Sequence, residues 1–350
     1  MSKRIFVTGA TGHIGTKLIE KLLARGFLVR GMGRRETLDY PPGNLVRPEQ
    51  LWQHPNFEYH RGDILDKESV EQGVSGCDYV FHLAAYAKNW HRDRNMFDRF
   101  NVEGTRNVLE ACEKHHVQRL VYTSTIVTLG TTKPGQIGDE SMERPSEKTF
   151  TDYERTKLQA EREVLQWFQT RNLPVVIVNP TRVFGPGQLS ESNSVIVLMD
   201  LYNRGRFPFL INFGKNLGNY VSTEDVAEGH ILALERGRLG ERYILGGDEN
   251  ITLRDIYNYV DEFRGKKGFK FPIWLLWPMI VAYTLKITAT LTGIYPIITP
   301  GWVRLYSTDG AFSVEKAKRE LGYAPMSMRE AFKNAYDWMM EIQKQKETRS

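Results

Sequence analysis

The chain has 350 residues, 41% apolar and 25% charged, with 47 Lys and Arg against 42 Asp and Glu. Its length suits one large α/β domain or two modest ones, and 17 Phe, 16 Tyr and 7 Trp exclude an unfolded chain. Two cysteines, Cys77 and Cys112, exclude a disulfide scaffold, give no basis for a zinc ribbon or iron–sulfur cluster, and fit a reducing compartment.

After Met1-Ser2-Lys3-Arg4 the apolar run is too short for a secretory signal, so a cytoplasmic protein is expected. A first strand is predicted over 4–8. Ile14, Leu18, Leu22 and Leu23 recur at helical spacing until Gly26 stops the helix. A second strand covers 27–32, and the prolines of 36–56 mark a long irregular insertion. Strands follow over 57–60, 78–83, 119–124 and 174–178, separated by helices over 97–115 and 152–171. This alternation predicts an α/β fold with a doubly wound parallel sheet. Beyond residue 180 helices are expected near 193–204, 223–236, 252–264 and 327–343, giving a smaller, mostly helical C-terminal region. The charged tail 344–350 is expected to fray.

Thr8-Gly9-Ala10-Thr11-Gly12-His13-Ile14-Gly15 lies between the first strand and the first helix. Three glycines at this spacing let the backbone turn sharply and approach a pyrophosphate at the helix N-terminus. Glycines also make plain turns, but the strand before and helix after favour a dinucleotide site. The second strand ends in Met32-Gly33-Arg34-Arg35, without the acid that would bind a ribose 2′-hydroxyl. Arg34 and Arg35 suit a 2′-phosphate instead, so NADP is favoured over NAD; the bland reading is a solvated basic turn. Asp63 could accept from the adenine amino group or cap the helix that begins near Asp66.

With these motifs the chain resembles the extended short-chain dehydrogenase/reductase family. The resemblance also rests on Gly62-Asp63-Ile64-Leu65-Asp66, His82-Leu83-Ala84-Ala85, Asn101-Val102-Glu103-Gly104-Thr105 and Tyr153-Glu154-Arg155-Thr156-Lys157. It continues through Asn179-Pro180-Thr181-Arg182-Val183, Tyr220-Val221-Ser222-Thr223-Glu224-Asp225, and a closing signature from Phe312 to Tyr323. Segments 29–34, 82–85 and 123–130 look most like the dihydroflavonol-4-reductase group, with the β-hydroxysteroid dehydrogenase branch close by. The family implies a Rossmann domain over 1–180 and a partly interwoven substrate region over 181–343. It implies cofactor contacts at Gly9, Thr11, Gly12, His13, Ile14, Gly15, Asp63, Ile64, Leu83, Ala84, Ala85, Asn101, Tyr153, Lys157, Pro180 and Val183. For Asn101 a helix-capping role competes.

Tyr153 and Lys157 are four apart on one helix and so share a face. A free phenol titrates near pH 10, and a nearby ammonium would bring that value down. Tyr153 would then pass a proton to or from a substrate oxygen. The family's Ser/Thr position falls on Thr125, with Ser124 as runner-up, to hold that oxygen. The implied reaction is hydride transfer between a nicotinamide and a carbonyl or alcohol carbon, with sugar epimerisation or dehydration as the rival on the same scaffold. Gly218-Asn219 stands where the sugar-nucleotide branch carries an Arg-Asp pair, which counts against a nucleotide-sugar substrate.

Lys88, Trp90, Thr125 and Tyr220 are the expected substrate contacts; for Trp90 plain core packing competes. Between Phe271 and Val303 the only charge is Lys286, and three of the seven Trp lie at 274, 277 and 302. Prolines and Gly293 interrupt the run too often for a membrane span. A lid over an apolar substrate, a membrane-surface contact, a homodimer face and plain core are the readings left open. Nothing calls for nucleic acid.

Overall fold

The strands of the first half carry β-branched and aromatic residues on both faces, as strands sandwiched between helical layers require. The computed structural model of the chain describes residues 3–35, 49–142, 144, 149–187 and 193–349. In chain order the first elements are β1 (Arg4–Thr8), α1 (His13–Ala24), β2 (Leu28–Gly33), α2 (Glu49–Trp52), β3 (Phe57–Arg61), α3 (Lys67–Val74) and β4 (Tyr79–His82). They are followed by α4 (Asn95–Asp98), α5 (Gly104–Lys114), β5 (Arg119–Thr123), α6 (Asp152–Arg171) and β6 (Val175–Pro180). The predicted insertion over 36–56 contains the short helix α2, and its residues 36–48 lie outside the described residues.

The later elements are β7 (Arg182–Phe184), α7 (Ser194–Asn203), β8 (Phe209–Ile211), β9 (Leu217–Ser222), α8 (Thr223–Arg236), β10 (Arg242–Leu245), β11 (Asn250–Thr252) and α9 (Leu253–Arg264). The chain closes with β12 (Phe271–Ile273), α10 (Leu276–Thr292), α11 (Pro300–Leu305), α12 (Glu315–Leu321) and α13 (Met328–Arg349). The tail read as frayed therefore continues α13 as far as Arg349.

Seven strands form one sheet in the order β10-β6-β5-β4-β1-β2-β3, and every pairing is parallel. Alternate residues point to opposite faces. Ile5, Val7, Phe81 and Val121 join one core layer; Phe6, Val80, Leu120 and Tyr122 join the other. The order reverses between β1 and β4, and such a reversal opens a crevice at the carboxyl ends of the strands. The chain returns to this sheet late, because β10 pairs with β6.

A second core gathers α7, α9 and α13 around the small sheet β11-β9-β7. Aromatic pairs hold it, with Tyr202 stacked on Tyr257 at 3.9 Å and Phe184 on Phe332 at 4.3 Å.

The helix predicted over 97–115 is interrupted: Arg99–Glu103 forms a π turn between α4 and α5. The wider turn buries Asn101 and aims it at the loop after β4. The run 271–303, not expected to span a membrane, contains β12, α10 and the start of α11. Pro278 is accommodated in the first turn of α10, where a missing N–H costs little. Among the described residues no helix is long and apolar enough to cross a membrane.

Candidate active site

The glycine turn connects β1 to α1 at the strand-order reversal. Gly9 has φ +72°, and a Cβ there would lie 2.9 Å from the Ala84 nitrogen. At Gly15 a Cβ would lie 2.1 Å from the Gly9 carbonyl oxygen. Both positions therefore exclude a side chain. Gly12 caps α1 without any side-chain bond, leaving the first N–H groups of the helix for an anion.

Two clefts meet at this turn and share Gly9, Gly12, Leu83 and Ala85 in their walls. One, of about 280 Å³, is bounded by Thr11, Arg34, Asp63, Ile64, Ala84 and Phe100. The other, of about 350 Å³, runs past His13, Ile14, Gly15, Lys88, Thr125, Tyr153, Lys157, Pro180 and Val183. Its far wall is Trp302, Leu305 and Tyr306 at and just beyond α11; Trp302 belongs to the 271–303 run for which a substrate lid was an open reading, while Leu305 and Tyr306 were not expected in the site.

The exposed Arg34 guanidinium lies 5.1 Å from the centre of the Phe100 ring, at the rim of the smaller cleft. Arg35 stands outside both walls; its carbonyl accepts a hydrogen bond of 2.9 Å from Tyr59 Oη. Asp66 caps α3, accepting from the Glu68 and Ser69 amides. Asp63 is thereby left to pin its own turn, accepting from the Leu65 amide at 3.0 Å. The His13 imidazole bonds Thr223 Oγ1 at 2.6 Å, tying α1 to α8. Burial, helped by the charge of Lys17, lowers its pKa to about 4, so it is neutral near pH 7.

Three further expected contacts lie outside the clefts. Asn101 accepts from the Tyr86 amide at 2.6 Å and donates to Thr156 Oγ1 at 2.9 Å, linking the loop after β4 to α6. Trp90 packs edge-on against Tyr295 at 5.8 Å. Tyr220 is buried, and its hydroxyl accepts from Arg182 at 2.9 Å.

Tyr153 and Lys157 share the inward face of α6. Burial raises the Tyr153 pKa above its ordinary value, while a hydrogen bond to the Thr125 hydroxyl pulls the other way. The expectation that Lys157 brings the phenol down is not met in this structure. Lys157 Nζ donates instead to Tyr122 Oη at 2.9 Å and the Thr123 carbonyl at 2.8 Å. Burial lowers the Lys157 pKa to about 7, partly offset by the charge of Glu161.

Behind Tyr122 runs a buried chain of polar groups. Thr105 Oγ1 donates to the Asn101 carbonyl at 2.7 Å and meets His82 Nε2 at 3.0 Å; His82 Nδ1 meets Thr8 Oγ1 at 2.7 Å. Thr8 Oγ1 accepts in turn from the Ala84 amide at 3.2 Å. Helix α6 and the glycine turn are thus held by one network.

Glu161 is the second group that sequence reasoning missed. It lies one turn beyond Lys157, is 1% exposed, and pairs with Arg242 at 2.8 Å. Its carboxylate accepts from Ser124 Oγ, Thr128 Oγ1 and Asn179 Nδ2. Ser124 is committed there, which leaves Thr125 as the hydroxyl beside Tyr153. The spacing of Glu161 four residues after Lys157 was the available signal.

Residues 5–246 match the NAD dependent epimerase/dehydratase family. The chain is 33% identical over 344 residues to a Synechocystis sp. protein named "Putative dihydroflavonol 4-reductase", covering 97% of this chain and 95% of that one. It is 30% identical over 340 residues to sterol demethylase protein B of Methylococcus capsulatus, covering 96% and 98%. The crystal structure of gox2253 superposes with a TM-score of 0.80 at 33% identity, covering 97% of this chain and 98% of the other. Matched over most of its length in sequence and in fold, the chain belongs to the NAD dependent epimerase/dehydratase family of enzymes, within the extended short-chain dehydrogenases/reductases.

Proposed function

We propose that this enzyme is an NADP(H)-dependent reductase that converts an apolar ketone or aldehyde to an alcohol. The observation that carries the reading is one cleft that joins the glycine turn to the hydrogen-bonded pair Tyr153 and Thr125, with Lys157 on the same helix. Residues 1–180 cradle the dinucleotide, and residues 181–343 close the substrate end with Trp302, Leu305 and Tyr306.

The side-chain-free cradle at Gly9 and Gly15 and the uncapped N-terminus of α1 fit a pyrophosphate. The cofactor, when bound, supplies the hydride. Tyr153 carries its proton at neutral pH, as an ordinary phenol does and burial reinforces, and it gives that proton from Oη to the substrate oxygen. Thr125 Oγ1 bonds the same oxygen and fixes its position. The aromatic and aliphatic far wall excludes water and suits an apolar substrate. A nucleotide-sugar substrate is disfavoured because Gly218-Asn219 supplies no cation for a diphosphate, and Arg182, which lines the cleft, is already committed. That guanidinium is engaged by Tyr220 and the Leu305 carbonyl.

A panel of carbonyl compounds followed by NADPH absorbance tests the reading, and apolar members are expected to be reduced. Conversion of a sugar without net NADPH consumption would overturn it in favour of epimerisation. Arg34→Ala is expected to weaken NADPH binding by about 10–100-fold, the loss of a charge-assisted bond, with a much smaller change for NADH. Equal losses would remove Arg34 from the 2′-phosphate site.

The low pKa of Lys157 gives a pH dependence. Below about pH 7 the free enzyme already carries the ammonium that an anionic cofactor favours. Above it the amine is neutral, and binding must recruit a proton. Cofactor affinity is therefore expected to fall as pH rises past 7, by up to about tenfold per unit. Titrations of Lys157→Met should lose this slope; an unchanged slope would mean that another group sets it.

A further inference from the structure

Helix α10 is a large apolar element that packs along one narrow side only, against α11 and the second core. Of its 17 residues only Ala282 and Ala289 are buried, two turns apart on one seam. Trp277 is 65% exposed and Leu291 76%, while just outside the helix Trp274 is 70% and Ile297 90% exposed. Side chains of this size left in water across one continuous face mark an interaction surface. The face extends beyond α10, because β12 pairs with β8 and sets exposed Phe271 beside Phe209, with exposed Phe269 next to it.

Charge points to the partner. From Arg264 to Thr308 the sequence holds six cations and no carboxylate. Arg264 and Lys270 are engaged by Asp261, whereas Lys266, Lys267 and Lys286 are exposed around the apolar face. The hydroxyls of Thr284, Thr288, Thr290 and Thr292 each donate to the carbonyl four residues earlier, so the helix satisfies its own polar groups. Tryptophans, a cationic border and internally satisfied hydroxyls suit a helix lying in the headgroup region of an anionic bilayer.

The surface is continuous with the catalytic cleft. Tyr295, just after α10, packs on Trp90 and lies 5.5 Å from Lys88 Nζ, and Lys88 lines the cleft. Helix α11, next in the chain, supplies Trp302 and Leu305 to the far wall.

We infer that the 269–297 face seats the enzyme on an anionic lipid surface, without spanning it, and that its substrate is a membrane-dissolved apolar carbonyl compound or alcohol. The second half rests on the proposed reductase reading; the first half does not. Partitioning from the bilayer along the Tyr295 edge would deliver such a substrate to Tyr153 without passage through water.

The test is flotation of the full chain with vesicles of phosphatidylcholine containing about 30% phosphatidylglycerol, and with phosphatidylcholine alone, an anionic surface drawing about fivefold per lysine. The protein is expected to float with the anionic vesicles, with a blue shift of tryptophan emission. Trp274→Ser/Trp277→Ser/Leu291→Ser should reduce binding by about 100-fold or more. Lys266→Glu/Lys267→Glu should reduce it by about 20-fold or more on anionic vesicles only. Both variants should turn over a water-soluble carbonyl compound as the parent does. Failure of the parent to float at low salt would overturn the surface assignment. So would equal flotation of the triple variant, or a concentration-dependent dimer that the triple variant abolishes. Flotation without reduction of any carbonyl would leave the surface standing and overturn the reductase reading instead.

Discussion

Tyr153→Phe is expected to lower turnover by about 10²–10⁴-fold, the range contributed by a positioned proton donor, while cofactor affinity stays close to that of the parent. The two effects separate because the phenol oxygen bonds Thr125, whereas Lys157 Nζ is held by Tyr122 and the Thr123 carbonyl. Removing one oxygen leaves the ring, the helix and the ammonium in place. Steady-state turnover and a fluorescence titration of NADPH measure the two quantities. Retained turnover would show that the proton comes from elsewhere. A matching loss of affinity would mean that the phenol holds the cofactor rather than the reacting oxygen.

Glu161→Ala is expected to cost about 3 kcal/mol of stability, because three buried donors lose their common acceptor. Ser124 is left without its partner, while Thr128 and Asn179 keep bonds to the Thr125 carbonyl. Ser124, the chain neighbour of Thr125, and Arg242 both lose their partner, so the strand end that carries Thr125 loosens and turnover should fall as well. Glu161→Gln retains an acceptor for the hydroxyls and should recover part of both losses. The denaturant midpoint reads the stability. A shift worth less than about 0.5 kcal/mol, typical of surface substitutions, would show that the cluster is not integral to the fold.

Glycines at 9, 12 and 15 between a strand and a helix, and Tyr153 four residues before Lys157, are local patterns with local physical consequences. They were legible because backbone conformation and helix periodicity act over a few residues. Arg34 and Asp63 were expected from their positions at strand ends, Leu83 and Ala84 from the family resemblance, and all four line the smaller cleft. Asn101, Trp90 and Tyr220 were placed in the site by their motifs, and side-chain packing took them out of the cleft walls. Asn101 turned into a π turn to join two segments, Trp90 met Tyr295, and Tyr220 was covered by Arg182.

What the sequence determined by itself is the alternation of strands and helices, the glycine turn and the helix that carries Tyr153 and Lys157 on one face. Each follows from burial periodicity or from the conformational range of single residues. The tertiary structure decided three other things. It turned Lys157 toward Tyr122, since a buried amine takes the nearest oxygen partners, and it buried Tyr153, which raises the phenol's pKa. It brought Glu161, Asn179 and Arg242 together from α6, β6 and β10, segments far apart in the chain. It left most of α10 exposed, with Ala282 and Ala289 its two buried residues and α11 the helix packed along it. Periodicity states which residues avoid water; only the fold decides what covers them.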